Sequence, residues 1–67
     1  MDSVYKVIEI IGTSEKSWAD AARMAVEKAA KSIKDLRVAE ADELDIRVED
    51  GKLLYRAKMK VSFKYID

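Results

Sequence analysis

Four carboxylate side chains lie within six positions of this 67-residue sequence: Glu40, Asp42, Glu43 and Asp45. Carboxylate oxygens are the ligands that hard cations such as calcium and magnesium prefer. Their spacing does not match an EF-hand loop. The alternative interpretation is a solvated strand face on which these acids pair with Arg56 and Lys58. The sequence therefore permits a divalent-cation site here without requiring one.

The composition excludes several other kinds of chemistry. Cysteine and histidine are both absent, so the chain has no disulfide, no thiolate nucleophile, no imidazole base and no zinc site of the usual nitrogen and sulfur type. Carboxylates, lysines and tyrosines remain as acid–base groups, but no pair has a spacing that indicates catalysis. We therefore predict that the protein is not an enzyme.

A Gly-Thr-Ser turn, Gly12 to Ser14, precedes an alanine-rich segment and raises the question of anion binding at a helix start. It lacks the glycine-rich spacing and the lysine of a phosphate loop. Ser17, followed three residues later by Asp20, resembles a capping box. We interpret this region as the end of a strand, a helix cap and a contact between copies of the chain.

The elements around these residues follow a β-α-β-β order. Val4–Ile11 is β-branched and aromatic, which predicts a strand that Gly12 ends. A helix should run from about Trp18 to about Lys34, and Asp50-Gly51 predicts a tight hairpin between two further strands. The expected fold class is α+β, with a three-stranded antiparallel sheet wrapped around one helix. The predicted buried stripe of the helix is Trp18, Ala22, Ala25, Val26, Ala29 and Ile33.

Along the middle strand, the apolar residues switch from odd-numbered to even-numbered positions, which indicates a β-bulge near Asp42-Glu43. If Asp50-Gly51 is a two-residue loop, Asp45 lies opposite Arg56, and Glu43 lies opposite Lys58. Opposite charges that face each other across a strand pair are mildly stabilising.

The last strand is unusually long for so small a chain. About fourteen alternating residues would span roughly 48 Å, whereas a seventeen-residue helix spans only about 26 Å. One helix cannot cover that strand, so we expect part of its apolar face to contact another copy. Residues 1–67 should form a single domain. The apolar face consists of Leu53, Tyr55, Ala57, Met59, Val61, Phe63 and Tyr65.

Thirteen basic and thirteen acidic side chains cancel. A balanced charge gives no general attraction to nucleic acid or to an anionic membrane, and we predict neither as a partner. The sequence has no apolar run long enough for a membrane span and no basic start typical of a secretion signal. These features favour a cytoplasmic location.

The opening strand into Gly12-Thr13-Ser14, the alanine-rich helix and the long last strand ending VSFKY together resemble the dodecin family over essentially the whole chain. Dodecins are small bacterial and archaeal β-α-β-β proteins that assemble as hollow shells of twelve identical subunits. The resemblance implies a homododecamer that holds small ligands at subunit interfaces and functions in binding and storage.

The best-known dodecins stack flavins such as FMN or riboflavin between subunits, using a tryptophan and a glutamine. Here Val38 stands at the tryptophan position and Arg56 at the glutamine position. Valine offers no π surface, which argues against flavin stacking of the usual kind. Two alternatives to a cation-binding protein stay open: a flavin-sequestering dodecin with altered contacts, and a purely structural shell.

Within this family, the sequence resembles the calcium dodecin subgroup more closely than the flavin-binding dodecins, because the corresponding stretch of that subgroup also lacks the tryptophan. This similarity implies a divalent cation, calcium or magnesium, in place of flavin. Glu43 is our first candidate ligand and Asp45 our second. After the expected bulge, both should point to the same face of the strand, where they could meet the same residues of symmetry-related copies.

Overall fold

The computed structural model describes residues 3–66 and arranges them as three strands and one helix. The elements are β1 (Val4–Ser14), α1 (Trp18–Ser32), β2 (Leu36–Glu49) and β3 (Lys52–Ile66). The antiparallel sheet has the order β1-β3-β2, so the longest strand lies in the middle. The predicted β-α-β-β fold with one helix on the sheet is confirmed.

The β2–β3 hairpin closes through Asp50 and Gly51, as predicted. Both residues have positive φ, 50° and 76°, which is the requirement of a type I′ turn. The flanking residues Glu49 and Lys52 are paired directly. This turn fixes the register along the whole hairpin.

The expected β-bulge is present at Asp42. Ala41 pairs with Met59 and Glu43 pairs with Lys58, so Asp42 is an extra residue in β2. The bulge moves the residues after it to the opposite parity, which places Leu44 on the helix side of the sheet and Glu43 on the other.

The buried core lies between α1 and the middle of β3. Its members are small or slender, which lets the helix backbone approach the sheet closely. The predicted stripe was partly wrong: the structure fully buries Ala21, which the prediction omitted, and leaves Trp18 37% exposed. The helix also ends two residues early, because Ile33 has extended backbone angles and serves as the C-cap. The core consists of Ala21, Ala25, Ala57, Met59 and Val61.

The prediction that Gly12 ends the first strand was wrong. β1 continues through Ser14, and Gly12 pairs with Ala57. A Cβ atom at Gly12 would lie 2.0 Å from the Ala21 carbonyl oxygen and 2.8 Å from the Ala25 Cβ atom. The glycine is there to give α1 room on the sheet.

The residues between β1 and α1 form a local hydrogen-bond network. Ser17 is the N-cap, as predicted, and its hydroxyl accepts from the Asp20 backbone N–H at 3.0 Å. The Asp20 carboxylate accepts from the buried Ser14 hydroxyl at 2.8 Å and from Arg23 at 2.6 Å. These hydrogen bonds hold the pKa of Asp20 below its usual value. Ser14 and Ser17 thus both stabilise the helix start.

The helix covers less than half of the sheet. Fifteen residues of α1 span about 22 Å, whereas the long axis of the molecule is 52 Å. α1 packs on β1 and β3 and barely reaches β2. Within residues 3–66, α1 is not long and apolar enough to cross a lipid bilayer. Apolar side chains left exposed on the helix side of the hairpin are Leu44, Ile46, Val48 and Leu53.

Candidate functional site

The face of the sheet opposite α1, called the outer face here, carries the predicted site residues. Side chains alternate along β3, so the buried Ala57 and Met59 point to the helix while Arg56 and Lys58 point away from it. The hairpin register places Asp45 opposite Arg56 and Glu43 opposite Lys58, as predicted.

Arg56 and Asp45 form a two-point ion pair. The Arg56 Nε donates to one carboxylate oxygen of Asp45 at 2.7 Å, and the second guanidinium nitrogen, Nη2, donates to the other at 2.8 Å. The hydrogen bonds from Arg56 hold the pKa of Asp45 below its usual value, and those to Asp45 raise the pKa of Arg56. Both oxygens of this carboxylate are thus engaged.

Lys58 lies between carboxylates of both neighbouring strands. Its ammonium group is 3.6 Å from Glu43 on β2 and 3.8 Å from Glu9 on β1. These separations exceed those of a hydrogen bond, so the attraction is electrostatic and the ammonium is not fixed in one geometry. Lys60 relates similarly to Asp42, at 3.7 Å. The carboxylates of β2 nearest the bulge therefore face cations of β3.

Two acidic and two basic side chains of the hairpin surround a cleft of about 200 Å³ in the outer face. The Glu43 side chain is 71% exposed, so its oxygens are the most accessible in the cleft. Among residues 3–66, no three acidic side chains come close enough together to surround a metal ion. A single chain therefore offers calcium an incomplete set of oxygen ligands. The cleft is lined by Ile11, Glu43, Asp45, Arg56 and Lys58.

The two positions expected for flavin binding do not meet within one chain. Val38 pairs with Ser62, six positions along β3 from Arg56, a separation of about 20 Å at the rise of a strand. The Val38 side chain is exposed on the outer face. Any site that includes both residues needs more than one copy of the chain.

Trp18 makes a contact that its position in the sequence does not predict. Its indole N–H donates to the Asp45 backbone carbonyl at 2.9 Å, and its ring packs edge-on against Tyr55 at a centroid distance of 5.3 Å. The helix start is thus attached to the same β2 residue whose side chain lies in the cleft. The alternation of side chains along β3 places the Tyr55 ring on the helix side, and this was the only feature of the sequence that indicated a contact with the helix.

A larger groove of about 540 Å³ lies on the helix side, between α1 and β1. Its lining is mostly apolar, with one charged side chain, Lys28. It offers no carboxylate and therefore does not suit a cation. The lining residues are Ile10, Ile11, Gly12, Thr13, Met24, Ala25, Lys28, Ala29 and Ser32.

The sequence of the chain is similar to those of known proteins. The family model for Dodecin matches residues 4–66. Calcium dodecin of Mycobacterium tuberculosis is 56% identical over 63 residues, which are 92% of this chain and 89% of that protein.

Two solved structures show the same fold. The crystal structure of calcium dodecin from M. tuberculosis, described as a calcium-chelating antigen with a novel calcium-binding site, superposes with a TM-score of 0.88 at 54% identity. The match covers 96% of this chain and 93% of that one. Dodecin from Streptomyces davaonensis superposes with a TM-score of 0.89 at 26% identity over the full length of both chains.

Proposed function

The chain belongs to the dodecin family, and we propose that it is a non-enzymatic binding and storage protein that holds calcium where copies of the chain meet in a dodecameric shell. The observation that carries this proposal is its 56% identity with calcium dodecin of M. tuberculosis. The carboxylates of Glu43 and Asp45 at the rim of the outer-face cleft support a cation site there.

Glu43 and Asp45 are the proposed ligands. Calcium takes six to eight oxygens, and two carboxylates supply at most four. The remaining oxygens must come from water or from the same residues of symmetry-related chains. This requirement supports a site between copies, where the exposed Glu43 side chain is free to meet its equivalents.

The chemistry of the cleft favours calcium over magnesium. Magnesium demands a nearly ideal octahedron with short bonds and gives up its water reluctantly, whereas calcium accepts irregular and variable oxygen sets. The long, exposed Glu43 side chain on an open cleft provides the second kind of site. We therefore expect magnesium to bind more weakly than calcium.

The proposed shell accounts for apolar surface that one chain leaves uncovered. Val48 is 70% exposed and Leu44 is 50% exposed, although both lie on the helix side of the sheet. A chain of 67 residues has a marginal core of its own. Contact with other copies would remove these side chains from water and add the missing stability.

A second candidate function is purely structural. The two-point Arg56–Asp45 pair favours it, because this carboxylate is already satisfied without a metal. In that case the outer-face charges would only hold the sheet and its neighbours in register. Stacking of flavin has less support, since Val38 provides no aromatic surface.

Calorimetric titration of the chelator-stripped protein with calcium chloride distinguishes the two candidates. A cation site predicts binding heat and a higher melting temperature, with about 2.7 kcal/mol of stabilisation at one hundred times the dissociation constant. Glu43→Gln and Asp45→Asn should each lose most of this response. Glu49→Gln is the matched control, because Glu49 lies on β2 outside the cleft and pairs with Arg47.

Absence of both heat and a melting shift would reject the cation site and favour the structural shell. Riboflavin provides a further arm of the experiment. Stacking on an aromatic side chain would quench the fluorescence of riboflavin. Since we expect no stacking, the fluorescence should persist when the protein is added. Quenching would instead return the flavin-binding alternative to first place.

A further inference from the structure

The cleft contains its own cations. Arg56 contacts both oxygens of Asp45, while Lys58 lies at a looser 3.6 Å from Glu43. The two proposed ligands are therefore not equally available. Glu43 is exposed and held by one flexible ammonium group, whereas Asp45 is held at two points by a planar guanidinium that matches its geometry.

A calcium ion at Asp45 requires the oxygen atoms that Arg56 now contacts. Each of these oxygens has a second lone pair, but a guanidinium about 4 Å from a divalent ion would be repelled by it, so the two cations compete for this carboxylate. The Asp45 carbonyl accepts a hydrogen bond from Trp18, which fixes the strand at this residue. For calcium to bind at Asp45, the Arg56 side chain therefore has to move.

We propose that Arg56 is a resident competitor that sets the calcium affinity of the cleft, an inference that rests on the proposed function. Calcium meets Glu43 first, and Asp45 becomes a ligand only when the guanidinium leaves it. Binding is then an exchange of one cation for another, and the ion pair keeps the cleft neutral when no metal is bound. Arg56 acts on affinity by withholding a ligand and does not itself bind the metal.

Substitution of Arg56 tests the competition directly. Arg56→Gln removes the charge and the two-point contact, and we expect about three- to tenfold tighter calcium binding in calorimetric titration. Arg56→Lys keeps the charge without the planar fork and should bind with intermediate affinity. Fluorescence of Trp18, the single tryptophan of the chain, gives a second readout of occupancy at Asp45.

Lys60→Gln is the matched control, because it removes the same charge from the same face of β3. Lys60 lies four positions from Arg56, about 13 Å away along the strand, and pairs with Asp42. Lys60 contacts neither Glu43 nor Asp45, and at physiological ionic strength salt screens the interaction between exposed charges over about 8 Å. We therefore expect less than a twofold change in affinity, and this control separates removal of the competitor from a general change in net charge.

The outcomes distinguish the inference from the function on which it rests. Tighter binding by Arg56→Gln than by Lys60→Gln supports the competition, even if the wild-type protein binds too weakly to detect. Wild-type binding that Arg56→Gln leaves unchanged or weakens overturns the competition and leaves the calcium site intact. No calcium binding by any variant, with melting and light scattering showing intact assemblies, rejects the proposed function itself.

Discussion

The two faces of the sheet are built on different principles. Under α1, the contacts are steric: Gly12, Ala21 and Ala57 are small because the helix backbone lies directly on the strands. On the outer face the contacts are electrostatic, and Arg56 and Lys58 pair with acids of the neighbouring strands. The first face tolerates almost no change in shape, whereas the second exchanges partners readily.

This difference indicates where function can reside. A close-packed interface has one arrangement, and any added atom must displace a neighbour. Exposed ion pairs contribute little to stability, so their members can be given up to a ligand or to another copy without unfolding the chain. Binding is therefore expected on the outer face, and fold specification on the helix side.

Gly12→Ala gives the largest expected effect and tests the steric face. Alanine normally stabilises a strand relative to glycine, but its Cβ atom would lie 2.0 Å from the Ala21 oxygen. We expect the free energy of unfolding in urea to fall by about 2–3 kcal/mol. Thr13→Ala, a change at the next residue on the exposed outer face, should alter it by about 0.5 kcal/mol or less. Equal stability of Gly12→Ala and the wild type would contradict the close approach of the helix.

The sequence predicted the fold well where local rules decide it. Asp50-Gly51 fixed the turn type, and the parity change in β2 located the bulge. It failed at Gly12 and Ala21, because close packing of a helix on a strand is a tertiary contact. The sequence does not show whether a glycine ends a strand or leaves space for a helix packed on that strand. Only the position of α1 distinguishes the two roles.

Ile46→Asp gives the next largest effect and tests the part of the helix side that α1 does not cover. Ile46 is 40% exposed there, and a charge at this position should prevent burial against another copy. Light scattering should report a mass near twelve times 7.6 kDa for the wild type and a much smaller mass for the variant. A wild type that is folded and has the mass of one chain would overturn the proposed shell.

Arg47→Asn is the control for the assembly experiment. It shifts the net charge by the same amount as Ile46→Asp, but Arg47 is on the outer face, where it pairs with Glu49. The assembled mass should be unchanged. Disassembly by both variants would mean that charge, and not the apolar surface of the hairpin, controls association.

The candidate site was predictable only in part. The pairs Asp45–Arg56 and Glu43–Lys58 followed from the loop length, because register in a hairpin is set at the turn. The Trp18–Asp45 hydrogen bond did not, since it joins residues 27 positions apart and depends on where the helix crosses the sheet. The separation of Val38 from Arg56 became visible only with the register complete.

Acid titration gives the smallest effect and tests whether the outer-face pairs contribute to the stability of the folded chain. Arg56 holds the pKa of Asp45 below 3.8, so its contribution is present above that pH and is lost as the pH falls through the lower folded-state value. Urea unfolding at a series of pH values from 6 to 2 should therefore show a loss of stability below about pH 3.8 that is smaller in Asp45→Asn. Arg56→Gln should reduce it similarly, and the double variant should show no further reduction, because both changes remove the same interaction.

The Asp20 carboxylate, whose pKa is also lowered, should leave a residual acid dependence in all three variants. If the acid dependence of Asp45→Asn matched that of the wild type, the ion pair would be absent from the folded protein in solution, and Arg56 could not compete with a metal for its oxygens.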